Sequence, residues 1–193
     1  SAADAELGLT GCYDALQENF LFAQRNQNHA ALRERECFTD NAMNGFLYQR
    51  YNNIKNGTLD ATMSIPLLRP WGALYAGIGR ANQVIANVPN IEDLSAEDKA
   101  QIVAQAKAIR ALMYWHLTEA WDDVPLINTL LGPEELQIPS NDALDIYAQM
   151  VADLEEAADI LPDVWSGNDY GKITSGAANA LLARVHLFFY GYH

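Results

Sequence analysis

Two adjacent carboxylates, Asp122 and Asp123, follow a long apolar stretch beside Trp121, and Glu119 lies close by. Glycosidases hydrolyse sugars with two carboxylates that flank the scissile bond, so this cluster is the best candidate for catalysis. Adjacent Asp residues also end helices and cap turns, and Pro125 disfavours helical backbone at the residue before it. We therefore expect a structural turn here, with an all-helical glycoside hydrolase as the enzymatic alternative.

Other catalytic or metal-binding groups are sparse. The sequence contains no phosphate-binding glycine loop, HExxH motif or GxSxG elbow. His116 and His186 fall inside apolar helical patterns, where a partly buried, hydrogen-bonded histidine is more common than a metal ligand. We expect no metal and no cofactor. Cys12 and Cys37 are too few for a disulfide framework; they could pair in an oxidising compartment, but burial as small apolar side chains is the simpler expectation.

Aromatic residues in loops suggest carbohydrate chemistry. Trp165 and Tyr170 lie in a polar loop, whereas Phe46, Tyr48 and Tyr51 lie in a long irregular stretch over residues 25–67. Aromatic rings can stack on the apolar faces of sugars, and Asn or Arg side chains can bind the hydroxyl groups. The alternative is that these rings anchor loops on a helical body, since aromatic side chains bury large areas.

The charge balance excludes one class of partner. Among 193 residues, 12 are basic and 25 acidic, for a net charge of −13. Such a field repels phosphate backbones, so we expect no binding to nucleic acid. No run of eighteen apolar residues occurs, and no transmembrane helix is therefore predicted. A run of acids over residues 153–159 is interpreted as the solvated face of a helix.

Apolar periodicity predicts an all-α fold with five helices, over residues 4–24, 70–89, 95–121, 142–161 and 175–190. The third is apolar nearly all round from Ala111 onward, as expected for a helix packed between neighbours. Ser95 is its predicted N-cap, with Asp98 in the place of the capping-box acid. The irregular segment after the first helix is too long for an ordinary connection and is expected to be functional.

A weak internal repeat favours stacked helical hairpins. AKAIRALMYWHL at Ala106 aligns with ANALLARVHLFF at Ala178, with an offset of 72 residues. Both segments carry Ala at the first, third and sixth positions, where small side chains allow a neighbouring helix to approach closely. The offset is about two units of the 34-residue tetratricopeptide spacing, so we expect a tetratricopeptide-like arrangement.

Three ordered segments carry a resemblance to a known family: WGALYAGIGRANQVIANVP from Trp71, RALMYWHLTEAWDDVPLI from Arg110, and KITSGAANALLARVHLFF from Lys172. The second resembles the signature of the SusD/RagB family of outer-membrane nutrient-binding lipoproteins, in which an R-A and aromatic-rich helix precedes a small turn and V-P-L. The first contains the family's R-A-N pattern, and the third resembles its later G-A-A-x-A-L-L-A-R segment.

The resemblance implies a SusD-like α/α superhelix and a single N-terminal helical domain over residues 1–193, with a larger C-terminal part absent. It also implies a non-catalytic subunit that captures nutrients, either glycans or peptides, for a SusC-type TonB-dependent outer-membrane transporter, and of these we expect a glycan. The protein would be a surface-exposed, lipid-anchored lipoprotein whose anchor Cys is not in this chain, since Cys12 lies within a helix. The alternative is a tetratricopeptide-type scaffold that binds only proteins.

In the family, ligand contacts come mainly from loops outside the helical repeats. Some come from the segment after the first helix, which corresponds to residues 25–67. No short motif fixes these contacts, so the candidate residues follow from sugar-binding chemistry and location. They are Arg33, Arg35, Asn44, Tyr48, Tyr51 and Trp71.

Overall fold

The computed structural model describes residues 1–17, 56–58, 69–132, 135 and 137–192. Over these ranges the chain forms five α-helices and two short 3-10 turns, and no β-strand occurs in them. The helices are α1 (Ala2–Ala15), α2 (Arg69–Asn87), α3 (Ala96–Trp121), α4 (Ala143–Ile160) and α5 (Ser175–Tyr192). The predicted all-α class is confirmed. None of these helices is both long and apolar enough to cross a membrane.

The chain divides into two compact units. One comprises Ser1–Tyr13 with Gly77–His193, and the other comprises Asp14–Ala76. The first contains most of α1 and α2 and all of α3, α4 and α5; the described part of the second is limited to short stretches at the ends of α1 and α2 and a turn at Asn56 and Gly57. The expected single domain over residues 1–193 stays a prediction.

The first helix is shorter than its apolar pattern predicts. It ends at Ala15, and Leu16 and Gln17 form a turn in which the Gln17 amide donates to the Asp14 carbonyl. The prediction of a helix to residue 24 is therefore wrong in its C-terminal bound. Apolar spacing reports which face a segment buries, not where its backbone hydrogen bonds stop.

The third helix is the centre of the first unit. Between Ile102 and Thr118 nearly every residue is buried, on all sides of the helix, which confirms the prediction of a helix packed between neighbours. It pairs in antiparallel sense with α4, because Lys107 contacts Glu156 and Arg110 contacts Asp153.

The fourth helix pairs in the same way with α5, and stacked helical hairpins result. The Ser175 hydroxyl donates to the Ala158 carbonyl at one end, and Tyr147 contacts His186 towards the other. The apolar side chains that α4 buries include those of Ile146, Met150, Leu154 and Ala157. This layering of consecutive antiparallel helices confirms the tetratricopeptide-like arrangement.

The start of α3 is capped as predicted. The Ser95 hydroxyl accepts from the Asp98 amide at 3.0 Å and donates to the Asp98 carboxylate at 2.7 Å. We expect Ser95→Ala to lower the free energy of unfolding by about 1 kcal/mol, since the cap satisfies an otherwise unpaired amide at the helix N-terminus. Urea unfolding measures this change. Ser140→Ala is the matched control, because Ser140 is exposed and is not a cap, and an equal loss in both variants would contradict the assignment.

Candidate functional site

A buried ion pair links the two central helices. The guanidinium of Arg110 on α3 donates from Nε and Nη2 to the two carboxylate oxygens of Asp153 on α4, each at 2.8 Å. The side chains are 4% and 3% exposed. Fork-to-fork pairing of this kind fixes geometry as well as charge, so it sets the register of the two helices.

The prediction that the acids over residues 153–159 form a solvated face is confirmed for Glu155, Glu156 and Asp159, which are exposed, but it is wrong for Asp153. Asp153 lies between Met150 and Leu154 on the buried face of α4. The signal that could have found it is Arg110 itself, which interrupts the most apolar part of α3. A charge in such a place is rarely buried without a partner.

The same network holds the loop that follows α3. Arg110 also donates to the side-chain oxygen of Asn82 on α2 at 2.7 Å and to the carbonyl of Asn128 at 3.1 Å. The amide nitrogen of Asn82 in turn donates to the carbonyls of Ile127 and Thr129. Three helices and the loop thus share one buried polar centre.

Tyr114 and Asn141 extend this anchoring. The Tyr114 hydroxyl accepts from the Ile127 amide at 2.7 Å and donates to its carbonyl at 3.1 Å. Burial raises the pKa of this hydroxyl to about 12, so it remains a donor. The Asn141 side chain accepts from the Leu126 amide. Hydrogen bonds therefore hold the loop segment of residues 124–129 against the helices.

The candidate catalytic pair has structural roles. Asp122 is the C-cap of α3 with φ 61°, and its amide donates to the Thr118 carbonyl. The Asp123 carboxylate accepts from the Ala143 amide at 3.0 Å, in the first turn of α4. Asp122 ends α3, and Asp123 holds the turn that follows against the first turn of α4, as the turn interpretation expects.

The remaining titratable candidates are held within the fold. His186 Nδ1 lies 2.6 Å from the Tyr147 hydroxyl, and His116 lies 3.6 Å from the Glu119 carboxylate. Cys12 is buried, and burial raises the pKa of its thiol to about 11. Cys37 lies outside the described residues. Over the ranges that the structure describes, no group of three His, Cys, Asp or Glu could hold a metal ion.

Of the six predicted ligand-binding residues, only Trp71 can be placed. It lies in the first turn of α2, is half-buried, and its ring centroid is 5.0 Å from that of Tyr75, one helical turn later. The other five lie outside the described residues: Arg33, Arg35, Asn44, Tyr48 and Tyr51. Their role in ligand binding stays a prediction.

The loop between α4 and α5 contains the other aromatic candidates. Trp165 is half-buried, and its Nε1 donates to the Ile173 carbonyl at 2.8 Å across the loop. The Lys172 ammonium lies 5.8 Å from the centroid of the same ring. Trp165 therefore anchors the loop, whereas Tyr170 is 84% exposed.

Comparison with known proteins decides the family. A family model named SusD-like_3 and described as "Starch-binding associating with outer membrane" matches residues 12–187. The chain belongs to the SusD-like family. This confirms the resemblance drawn from the three sequence segments.

Two curated SusD-like proteins show what share of a family member's length this chain spans. It is 28% identical over 198 residues to SusD-like protein P25 of Formosa agariphila, covering 97% of this chain and 36% of that protein. It is 29% identical over 188 residues to SusD-like protein P38 of the same organism, covering 96% of this chain and 34% of that protein. The chain spans about a third of the length of these curated relatives.

Solved structures of SusD-like proteins share the fold. A laminarin-binding SusD-like protein has a TM-score of 0.83 at 27% identity, over 96% of this chain and 40% of that one. Surface glycan-binding protein A from Bacteroides uniformis has a TM-score of 0.86 at 22% identity, over 99% and 43%. The helical arrangement of this chain is thus shared with about two fifths of each of these structures.

Proposed function

We propose that the protein is a non-catalytic glycan-binding subunit of an outer-membrane uptake complex, partnered by a SusC-type TonB-dependent transporter. Membership of a family described as starch-binding and associated with the outer membrane carries this proposal. Similarity to a laminarin-binding protein supports the ligand class. The proposed location is the cell surface, by lipid anchoring to the outer membrane.

The described geometry supports a binding role rather than catalysis. Asp122 and Asp123, the most suggestive carboxylates, serve as a helix cap and a hydrogen-bond acceptor at the next helix. Arg110 and Asp153 neutralise each other in the core. The conspicuous charged groups of the helical body thus stabilise the scaffold that carries the binding segments.

The proposed ligand site combines the residue 25–67 segment with the aromatic pair on α2. Trp71 and Tyr75 form two adjacent rings of the type that stack on pyranose faces. The proposed contacts from the segment are those of Arg33, Arg35, Asn44, Tyr48 and Tyr51, whose side chains supply the hydroxyl-binding and stacking groups that a sugar requires.

We expect Trp71→Ala to weaken glycan binding about tenfold, because an aromatic stacking contact contributes roughly 0.5–1.5 kcal/mol beyond the area it buries. Trp71→Phe keeps a ring at the position and should retain most of the affinity. Native-gel retardation in polysaccharide measures both variants, with far-ultraviolet circular dichroism as the check on folding. Equal affinity of wild type and a folded Trp71→Ala variant would remove Trp71 from the site.

The function itself is tested by purification from solubilised outer membranes and by binding to immobilised polysaccharides. We expect the full-length protein to co-purify with a TonB-dependent transporter and to be retained by at least one glycan. Co-purification of a protein partner without retention by any glycan would favour the tetratricopeptide-type scaffold instead. Absence of both would overturn the proposal.

A further inference from the structure

The connection between α4 and α5 is a closed, internally braced loop. Its ends meet where the Ser175 amide donates to the Pro162 carbonyl at 3.1 Å. The backbone between them turns at Gly167 (φ 63°) and Gly171 (φ 103°), where a left-handed conformation favours glycine. A loop of this length with touching ends and its own packed side chain is an Ω-loop, a class that is frequently functional.

This Ω-loop is also tied to the helical body. The Ile173 amide donates to the Tyr13 hydroxyl at 2.8 Å, and that hydroxyl donates to the Gln105 side chain on α3 at 2.9 Å. Lys172 pairs with Asp169 at 2.7 Å and with Glu6 on α1 at 3.5 Å. Trp165 thus stabilises the loop from within, and the contacts of Ile173 and Lys172 attach it to α1.

A fixed loop would not need an exposed aromatic ring for its own stability, yet it presents one. Tyr170 is 84% exposed and follows a short 3-10 turn, Gly167–Asp169. Asn168 in this turn and Ser166 just before it are exposed, and within the described part of the chain neither side chain makes a hydrogen bond. An exposed ring in the same short loop as an exposed hydroxyl and carboxamide offers a stacking surface and hydrogen-bonding groups for a sugar.

We infer that the Ω-loop over residues 162–175 is a secondary glycan-contact site, with Tyr170 as its stacking platform. The inference rests on the proposed function and adds a second point of contact to it. The surrounding charge favours a neutral polysaccharide, because Asp163 is exposed, Lys172 is neutralised by two acids, and the chain has a net charge of −13. The Ω-loop site adds to the overall affinity for a polysaccharide through multivalency, since a long polymer held at one site is at high effective concentration at another.

The test measures retardation of the full-length protein in native gels that contain laminarin or soluble starch, with alginate as an anionic polymer. We expect Tyr170→Ala to weaken retention by the neutral polymer about three- to tenfold, as loss of one stacked ring implies. Tyr170→Phe should retain binding within about twofold. Val164→Ala is the matched control, since Val164 is 75% exposed in the same loop and has no ring.

The outcomes separate this site from the proposed function. Unchanged retention of Tyr170→Ala, with Trp71→Ala still impaired, would overturn the loop site and leave the function intact. Loss of transporter co-purification by Tyr170→Ala without loss of glycan retention would make the loop a protein-docking surface and also overturn it. If wild type binds no polysaccharide, both proposals fail. Retention by alginate alone would contradict the predicted preference for neutral polymers.

Discussion

Arg110→Met should lower the free energy of unfolding by about 3–5 kcal/mol, because it leaves the Asp153 carboxylate buried without its partner. The cost arises from an uncompensated charge in the core and from the lost donors to Asn82 and the Asn128 carbonyl. Urea unfolding followed by circular dichroism gives the value, provided that the dependence of free energy on urea concentration is unchanged.

Two comparisons make this prediction specific to the buried pair. Lys107→Met removes a salt bridge to Glu156 between the same two helices, where Glu156 is 44% exposed, and should cost at most about 1 kcal/mol. The double variant Arg110→Met with Asp153→Leu should recover much of the loss, since no charge is then left in the core. A loss below about 1 kcal/mol in Arg110→Met would contradict the role assigned to the pair.

Leu154→Ala should lower the free energy of unfolding by about 2–5 kcal/mol, because Leu154 is fully buried on the face of α4 that packs in the hairpin stack. The cost includes the lost transfer of the side chain from water and the cavity that neighbouring helices cannot close. Leu144→Ala is the same substitution on the same helix at a side chain that is 53% exposed, and it should stay within about 0.5 kcal/mol. Similar losses at the two sites, measured by the same urea unfolding, would mean that α4 does not pack as the structure shows.

The elements that could be predicted from the sequence are those governed by local rules. The Ser95 cap, the stop after Trp121 and the all-round burial of α3 follow from short-range chemistry, and the structure confirms each. The buried pairing of Arg110 with Asp153 could not be predicted in this way. It depends on which helices become neighbours, and an acid within a charge run resembles a solvated residue until its partner is known.

The residues of the candidate site also differ in how far local chemistry predicts their roles. Anchoring of Trp165 was one of two open interpretations, and its hydrogen bond to the Ile173 carbonyl decides it. The exposure of Tyr170 depends on the conformation of the whole loop, and no pattern in the sequence fixes which way such a loop directs its rings. The ligand chemistry of residues 25–67 rests on residue types alone and stays a prediction.

Isothermal titration of the full-length protein with laminarin, soluble starch and other neutral polysaccharides tests the central claim most directly. Reducing ends should be counted before and after each titration. We expect saturable binding to at least one polymer, with the number of reducing ends unchanged, because the proposed function is the capture of glycans without cleavage. No binding across the panel, or a rise in reducing ends that Asp122→Asn or Asp123→Asn abolishes, would contradict the account.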